Sequence, residues 1–345
     1  MIKKVVFDVN TTYGCNFRCK YCYEQYIGPN YKPVIMSREV ITRYAQYINY
    51  MRRKLKNVRF GMDFYGGEPL LYPNIIKLII QRTSNVIDYF CIITNGSLIL
   101  KNKDLILELT KYRTPIGFAV SYDFILQEEN RDKGSYTSVR EAIKWLYHQG
   151  LLGKVIATIN VKNLPRIHDV FFDFLALKEE CPDINCAYNI AFNENLDLFD
   201  KEGTIESLKK IQDFLRKNPQ HYGSFVHNAL WCSDFSKEDG GTPAFAVCGI
   251  SPEGDLYPDY SMPYRCKELK DLTLYGNIFE DFSLLDTRRK EKLEMLRNTP
   301  LPDKCRMCDS TCKINSWNFL LKKTTPSDSV CYITKLLHSY MGEFR

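Results

Sequence analysis

Cys15-Asn16-Phe17-Arg18-Cys19-Lys20-Tyr21-Cys22 constrains this 345-residue chain more than any other stretch. Three thiols at C-x3-C-x2-C spacing follow an alternating apolar run (Val5, Phe7, Val9), so the fold must gather thiolates at the end of a strand. Cysteine thiolates hold iron–sulfur cubanes, normally four to a cluster, and three leave one iron open to an exchangeable ligand. Catalytic zinc sites keep an open position in the same way. A structural zinc knot, or three thiols that merely lie close together, are the other readings of this spacing.

The rest of the cysteine inventory bears on that choice. Met1 leads into Lys3-Lys4-Val5-Val6-Phe7 with no signal-peptide core, and no apolar run approaches the length of a membrane span. The expectation is a soluble cytoplasmic protein with no membrane partner, in which thirteen cysteines stay reduced and favour metal ligation over disulfides. Seven of the thirteen lie beyond residue 230, which gives the C-terminal third a metal-binding capacity of its own. A net charge of +6 is mild and dispersed. The clusters Arg52-Arg53-Lys54 and Arg288-Arg289-Lys290 fall in helical patterns and read as solvated faces, so nucleic-acid binding is not indicated.

Beyond the cysteines, the chain alternates. A helix over 37–55 with Ser37 as N-cap precedes a strand through Val58, Phe60, Met62 and Phe64 that stops at Gly66-Gly67-Glu68-Pro69. A helix near 73–84 leads to a strand at 89–94, closed by Asn95-Gly96; a helix near 103–112 leads to a strand at 116–121. Helices at 135–149 and 164–179 precede strands at 154–161 and 186–192, and a sixth helix covers 204–217. Six strands alternating with six helices is the pattern of parallel β/α units with right-handed crossovers: an α/β fold, a partial (β/α)6 TIM-type barrel. In such barrels the chemistry sits at the C-terminal strand ends. Here those ends carry the three cysteines, Gly-Gly-Glu-Pro, Thr94-Asn95-Gly96 and Ser121-Tyr122-Asp123.

With these motifs in place the sequence resembles the radical S-adenosylmethionine (radical SAM) enzymes. Their C-x3-C-x-aromatic-C signature is matched by Cys15, Cys19, Tyr21 and Cys22, and their Gly-Gly-Glu-Pro motif by Gly66–Pro69. The resemblance covers roughly residues 3–165. It implies a [4Fe-4S] cluster on Cys15, Cys19 and Cys22, with SAM chelating the open iron and splitting reductively into methionine and a hydrogen-abstracting 5′-deoxyadenosyl radical. It also implies that Tyr21 lies beside the adenine and that carbonyls around Gly66, Gly67 and Glu68 accept from the SAM amine. Asn95 belongs to the same SAM-binding rim. Ser121 and Asp123 resemble the ribose contacts, and Arg131 the arginine whose bidentate fork takes the SAM carboxylate. Asn160 is a further rim contact or a strand-end turn residue.

The β/α rhythm is expected to end near Asn218-Pro219, which divides the chain into a barrel at 1–225 and a small cysteine-rich domain at 226–345. A hairpin with Glu253-Gly254 at its turn and a helix over 281–297 precede Cys305-x2-Cys308-x3-Cys312 and Cys331. This part resembles the SPASM extension, which carries auxiliary iron–sulfur clusters, but it departs from that pattern: Asp259 and Ser316 stand where cysteines are expected. The resemblance therefore implies one auxiliary [4Fe-4S] cluster on Cys305, Cys308, Cys312 and Cys331. A rival set, Cys248, Cys266, Cys305 and Cys308, resembles the shorter twitch variant. Cys91, Cys181, Cys186 and Cys232 read as ordinary buried thiols.

The resemblance implies an oxidoreductase or peptide-modifying enzyme, a maturase that cross-links, epimerises or oxidises a peptide or protein side chain. It would draw single electrons from a flavodoxin or ferredoxin. Because strand one opens the sequence, a separate peptide-binding protein or the C-terminal domain is expected to recognise the substrate. The alternatives are dehydrogenation or rearrangement of a small molecule, and a non-catalytic metal-binding interaction protein. In sulfatase-maturing relatives an aspartate follows the second SPASM cysteine as the proposed base. Tyr260 holds that place here with Asp259 one step earlier, and Asp259 reads as a turn residue, a cluster ligand or a displaced base.

Overall fold

A computed structural model of the chain describes residues 4–22, 34–191, 198–227, 249–258 and 267–298, together with 333, 336, 337, 339 and 340. Seven strands run β1 Lys4–Asn10, β2 Arg59–Tyr65, β3 Tyr89–Thr94, β4 Ile116–Ser121, β5 Leu152–Ile159, β6 Cys186–Ile190 and β7 Phe225–His227. Each pairs parallel with the next, with Val9 opposite Phe64, Ile92 opposite Phe118 and Ala157 opposite Tyr188. Helices α1 Arg38–Lys54, α2 Pro73–Thr83, α3 Lys103–Leu109, α4 Gln127–Asn130, α5 Ser135–His148, α6 Ile167–Glu180 and α7 Lys201–Lys217 fall between them. The alternation expected from the sequence is present, and it runs one strand further than expected. At three residues, Phe225–His227 is too short to show a period; pairing with Cys186–Tyr188 makes it a strand.

Local chemistry explains the best-defined elements. Ser37 caps α1, its side-chain oxygen accepting from the Val40 amide at 3.2 Å. Val40, Ile41, Tyr44, Tyr47, Ile48 and Met51 then recur at helical spacing, and all are buried. Alternate strand residues Val5, Phe7, Val9, Phe60, Met62 and Phe64 pack with them in one continuous core. The intervening residues, among them Asp8, Asp63, Cys91 and Lys154, lie on the opposite face of the sheet.

The sheet does not close. After β7 the chain adds β8 Gly249–Ile250, β9 Asp255–Tyr257 and β10 Gly276–Asn277 at the other edge, giving the order β10-β9-β8-β1-β2-β3-β4-β5-β6-β7. β8 and β9 form the expected antiparallel hairpin around Glu253-Gly254, and β8 pairs parallel with β1 through Val9 and Ile250. Helices α8 Lys267–Thr273 and α9 Phe282–Asn298 follow. Phe282 packs against the rings of Tyr47 and Tyr50 of α1, with the Arg43 guanidinium above it. The second basic cluster is therefore solvated only in part: Lys290 stays exposed, but Arg289 does not. Arg289 is buried and bonds Asp286 at 2.7 Å, and Lys54 and Lys290 reach the same carboxylate at 3.6 and 2.9 Å. Arg289 and Lys290 stand three and four residues past Asp286 on α9, and docking onto α1 adds Lys54 to the same acid.

Candidate active site

The cysteine loop leaves β1 at the C-terminal rim and is held by backbone contacts. Gly67 N donates to Thr12 O at 3.0 Å and Glu68 N to Gly14 O at 2.8 Å, which docks the end of β2 against the segment entering the loop. A β-carbon on Gly66 would stand 2.2 Å from Thr12 O, and one on Gly67 2.3 Å from Gly14 O; Gly66 also has φ 126°. Only glycine allows that approach. Within the loop, Cys22 N donates to Cys19 O at 3.1 Å, and Arg18 Nη1 donates to the carbonyls of Cys15 and Phe17 at 2.8 and 2.9 Å.

Glu68 ties the second rim motif to the third. Its buried carboxylate accepts from Leu70 N (2.9 Å) and Thr94 Oγ1 (2.7 Å) through Oε1, and from Asn95 N (2.7 Å) through Oε2. Burial pushes this carboxyl up, while the Asn95 and Leu70 amides and the Thr94 hydroxyl hold it down. Asn95 carries the link to the cysteines. Its Nδ2 donates to Asn16 Oδ1 at 3.0 Å and points at Cys15 Sγ from 3.9 Å, and its Oδ1 accepts from Ser97 N and Oγ. Ser97 Oγ in turn accepts from Asn16 Nδ2 at 2.9 Å. Asn16 and Ser97 were not expected as site residues. They lie 81 positions apart, and only the adjacency of the two strand ends joins them.

A third group closes the far side. Arg131 Nε lies 3.1 Å from Asp123 Oδ1, with both side chains buried, and Nη1 donates to Cys19 Sγ at 3.8 Å. Its guanidinium carbon stands 5.4 Å from the centroid of the Tyr21 ring, and Tyr21 OH donates to Asp123 Oδ2. Asp123 Oδ1 also accepts from Thr158 N at 2.8 Å. Burial opposes the Arg131 charge, but Asp123, Tyr21 and Cys19 together outweigh it and raise the pKa. Burial likewise pushes the Cys19 thiol and the Tyr21 phenol up, with Arg131 pulling both down. A ribose hydroxyl at Asp123 would have to exchange with one of these protein partners, and the Arg131 fork expected for one carboxylate is divided between Asp123 and Cys19. Ser121 ends β4 half-buried, opposite Ile156.

Asn130, immediately before Arg131, was also missed. Its carbonyl accepts from Lys20 N at 2.9 Å, inside the cysteine loop. Its side-chain Oδ1 accepts from Asn160 and Asn163 at 3.1 and 3.0 Å. Asn160 is accordingly the cap of the turn after β5, its Oδ1 accepting from Asn163 N at 2.9 Å. Below the rim, Asp63 sits between Asp8 and Cys91 in register, and burial pushes its carboxyl up to about 6 against the pull of Lys4 and Lys154. Burial pushes the half-buried Cys91 thiol up to about 12; Cys181 and Cys186 are fully buried.

The three loop thiols suit thiolate ligation of a cubane. Cys19 is buried, Cys15 and Cys22 are half-buried, and the Phe17 amide, Asn95 Nδ2 and Arg131 Nη1 direct N–H groups at their sulfurs. Such donors are what ligating thiolates take in iron–sulfur proteins. Among the described residues no three His, Cys, Asp or Glu side chains are grouped as a single metal ion requires. A cubane asks for something else, one iron for each thiolate. Asp259, Tyr260, Ser316 and the cysteines 232, 248, 266, 305, 308, 312 and 331 lie outside the described residues. Among the described residues no helix is long and apolar enough to cross a membrane.

Comparison with known proteins agrees with this architecture. The radical SAM superfamily model matches residues 9–168. The antilisterial bacteriocin subtilosin biosynthesis protein AlbA of Bacillus subtilis is 26% identical over 289 residues, covering 78% of this chain and 56% of AlbA. A GTP 3′,8-cyclase of Trichodesmium erythraeum is 31% identical over 227 residues, 61% of this chain and 64% of that protein. The chain thus spans about half to two-thirds of the length of these curated relatives. The structure of anSMEcpe with bound AdoMet superposes with a TM-score of 0.70 at 17% identity, over 99% of this chain and 97% of that one, which shows a shared fold. Radical SAM domains work with a [4Fe-4S] cluster and SAM. The cysteine signature, the rim that braces it and the family match converge on one identification: residues 9–168 of this chain are a radical SAM domain.

Proposed function

We propose that the chain is a radical SAM maturase that acts on a peptide or protein side chain. One observation carries the peptide reading: the likeness to AlbA covers 78% of this chain, a share that must include residues well past 168. A bacteriocin biosynthesis protein is thus similar to this chain beyond the SAM-cleaving domain. An anSMEcpe structure holding AdoMet and the Cp18Cys peptide superposes over 99% of the chain and supports the same reading at the level of fold.

In this proposal Cys15, Cys19 and Cys22 hold the cluster. Tyr21, Gly66, Gly67, Glu68, Asn95, Ser121, Asp123 and Arg131 surround SAM, and the open edge of the sheet admits the substrate. When bound, cluster and SAM supply a 5′-deoxyadenosyl radical that takes one substrate hydrogen. The protein's part is to hold the thiolates and orient SAM, through the Gly66–Gly67 docking, the Glu68 bridge and the Asn16–Asn95–Ser97 network. Residues 1–225 form the SAM-cleaving unit and 226–345 an auxiliary unit. That unit holds one further cluster on Cys305, Cys308, Cys312 and Cys331, with Cys248, Cys266, Cys305 and Cys308 as the rival set. A flavodoxin or ferredoxin supplies electrons.

The second reading, a small-molecule substrate, is favoured by the 31% identity to the GTP 3′,8-cyclase. Anaerobic reconstitution followed by dithionite separates the readings. The wild-type chain should form 5′-deoxyadenosine and Cys22→Ala should not. Deuterium from a side-chain-labelled peptide should enter 5′-deoxyadenosine. Transfer from labelled GTP but from no peptide would move the chain to the second reading, and absence of 5′-deoxyadenosine would overturn catalysis altogether.

A further inference from the structure

We infer that Arg131 and Asp123 form a buried charge pair that sets the reduction potential of the SAM-binding cluster through the Cys19 sulfur. The inference rests on the cluster reading of Cys15, Cys19 and Cys22 above. Arg131 gives Nη1 to Cys19 Sγ at 3.8 Å, and its Nε lies in ion-pair contact with Asp123 Oδ1 at 3.1 Å. Side-chain exposure is 8% for the arginine and 1% for the aspartate, so water screens neither charge well.

Five further contacts brace the pair. Asp123 is pinned by Thr158 N at 2.8 Å and by the Tyr21 hydroxyl, and Tyr21 is itself the residue before Cys22. The Arg131 backbone is fixed from both sides: Asn130 O takes Lys20 N from the cysteine loop at 2.9 Å, and Arg131 N donates to Gln127 O at 2.9 Å. Gln127, in turn, accepts from Asp123 N at 2.9 Å. Arginine, aspartate and cysteine loop therefore move as one body. Reduction adds one negative charge to a cluster, and potentials respond to charge and to N–H···S bonds at the ligating sulfurs. A guanidinium on Cys19 favours the reduced state; a carboxylate immediately behind it opposes that effect. Arg131 and Asp123 are positioning residues with opposite signs.

Opposite signs make the test specific. The full-length reconstituted chain is titrated with dithionite and followed by electron paramagnetic resonance, reading the signal that is missing from Cys22→Ala. Arg131→Gln should lower the midpoint, with the reduced-to-oxidised ratio at fixed potential falling tenfold or more, about 59 mV for a one-electron couple. Asp123→Asn, which keeps the shape of the side chain, should raise it. The double variant should return toward wild type. Should Arg131→Gln fail to load iron, Tyr21→Phe serves in its place: it strips one donor from the carboxylate and should lower the midpoint. Shifts of both Arg131→Gln (or Tyr21→Phe) and Asp123→Asn in one direction, or of neither, would overturn the inference. A wild-type chain with no signal beyond that of Cys22→Ala would instead defeat the cluster reading on which it rests.

Discussion

Gly66 and Gly67 serve the protein's own backbone before they serve any ligand. The Thr12 and Gly14 carbonyls occupy the space where β-carbons would stand, at 2.2 and 2.3 Å. Gly66→Ala therefore either pushes the cysteine loop away from β2 or forces a left-handed alanine. A cost of about 2–3 kcal/mol is expected from strain at such a backbone position. Thermal unfolding should show it as a lowered Tm, with iron loading falling in parallel. An alanine variant of unchanged Tm and iron content would show that the loop does not depend on this docking. Glu68 belongs to the same scale. Its carboxylate satisfies three donors from two strand ends, a role that the Gly-Gly-Glu-Pro letters do not announce.

Among elements, the contact between α1 and α9 is the one whose electrostatics can be tested. Asp286 is buried, and burial pushes its carboxyl up, yet Lys290 and Arg289 more than offset this and leave it lowered. An acid whose folded pKa is depressed contributes stability above its unfolded value and loses it as pH falls through the folded one. Asp286→Asn should therefore cost about 2–3 kcal/mol at neutral pH, because Arg289 stays buried without its counter-charge while Lys54 and Lys290 turn to solvent. The gap between variant and wild type should close as pH falls below about 4. A gap independent of pH would assign the loss to packing around Phe282 instead.

For the whole molecule, the open sheet places three rim motifs beside one cysteine loop and carries the β8–β9–β10 ribbon on the other side of β1. The proposed auxiliary cluster is tested by counting iron. The reconstituted chain should hold about eight iron atoms, and a Cys305→Ala/Cys308→Ala variant about four. Cys312→Ala then separates the two ligand sets, since the Cys248–Cys266–Cys305–Cys308 set would be indifferent to it. Four irons in the unmodified chain would remove the auxiliary cluster from the proposal.

The sequence by itself determined the alternation of strands and helices, the Ser37 cap, the Glu253-Gly254 hairpin and the motifs at the strand ends. Each of these is written in local periods or in consecutive residues, and local backbone and burial preferences are enough to read them. Tertiary structure alone decided what those motifs touch. Asn16 meets Ser97, Arg131 divides between Asp123 and Cys19, and Lys54 of α1 reaches Asp286 of α9, because parallel crossovers and helix docking join positions that carry no shared period. The strand β7 and the addition of β8, β9 and β10 at the β1 edge were decided in the same way, by pairing between strands and not by any property of the strand residues alone.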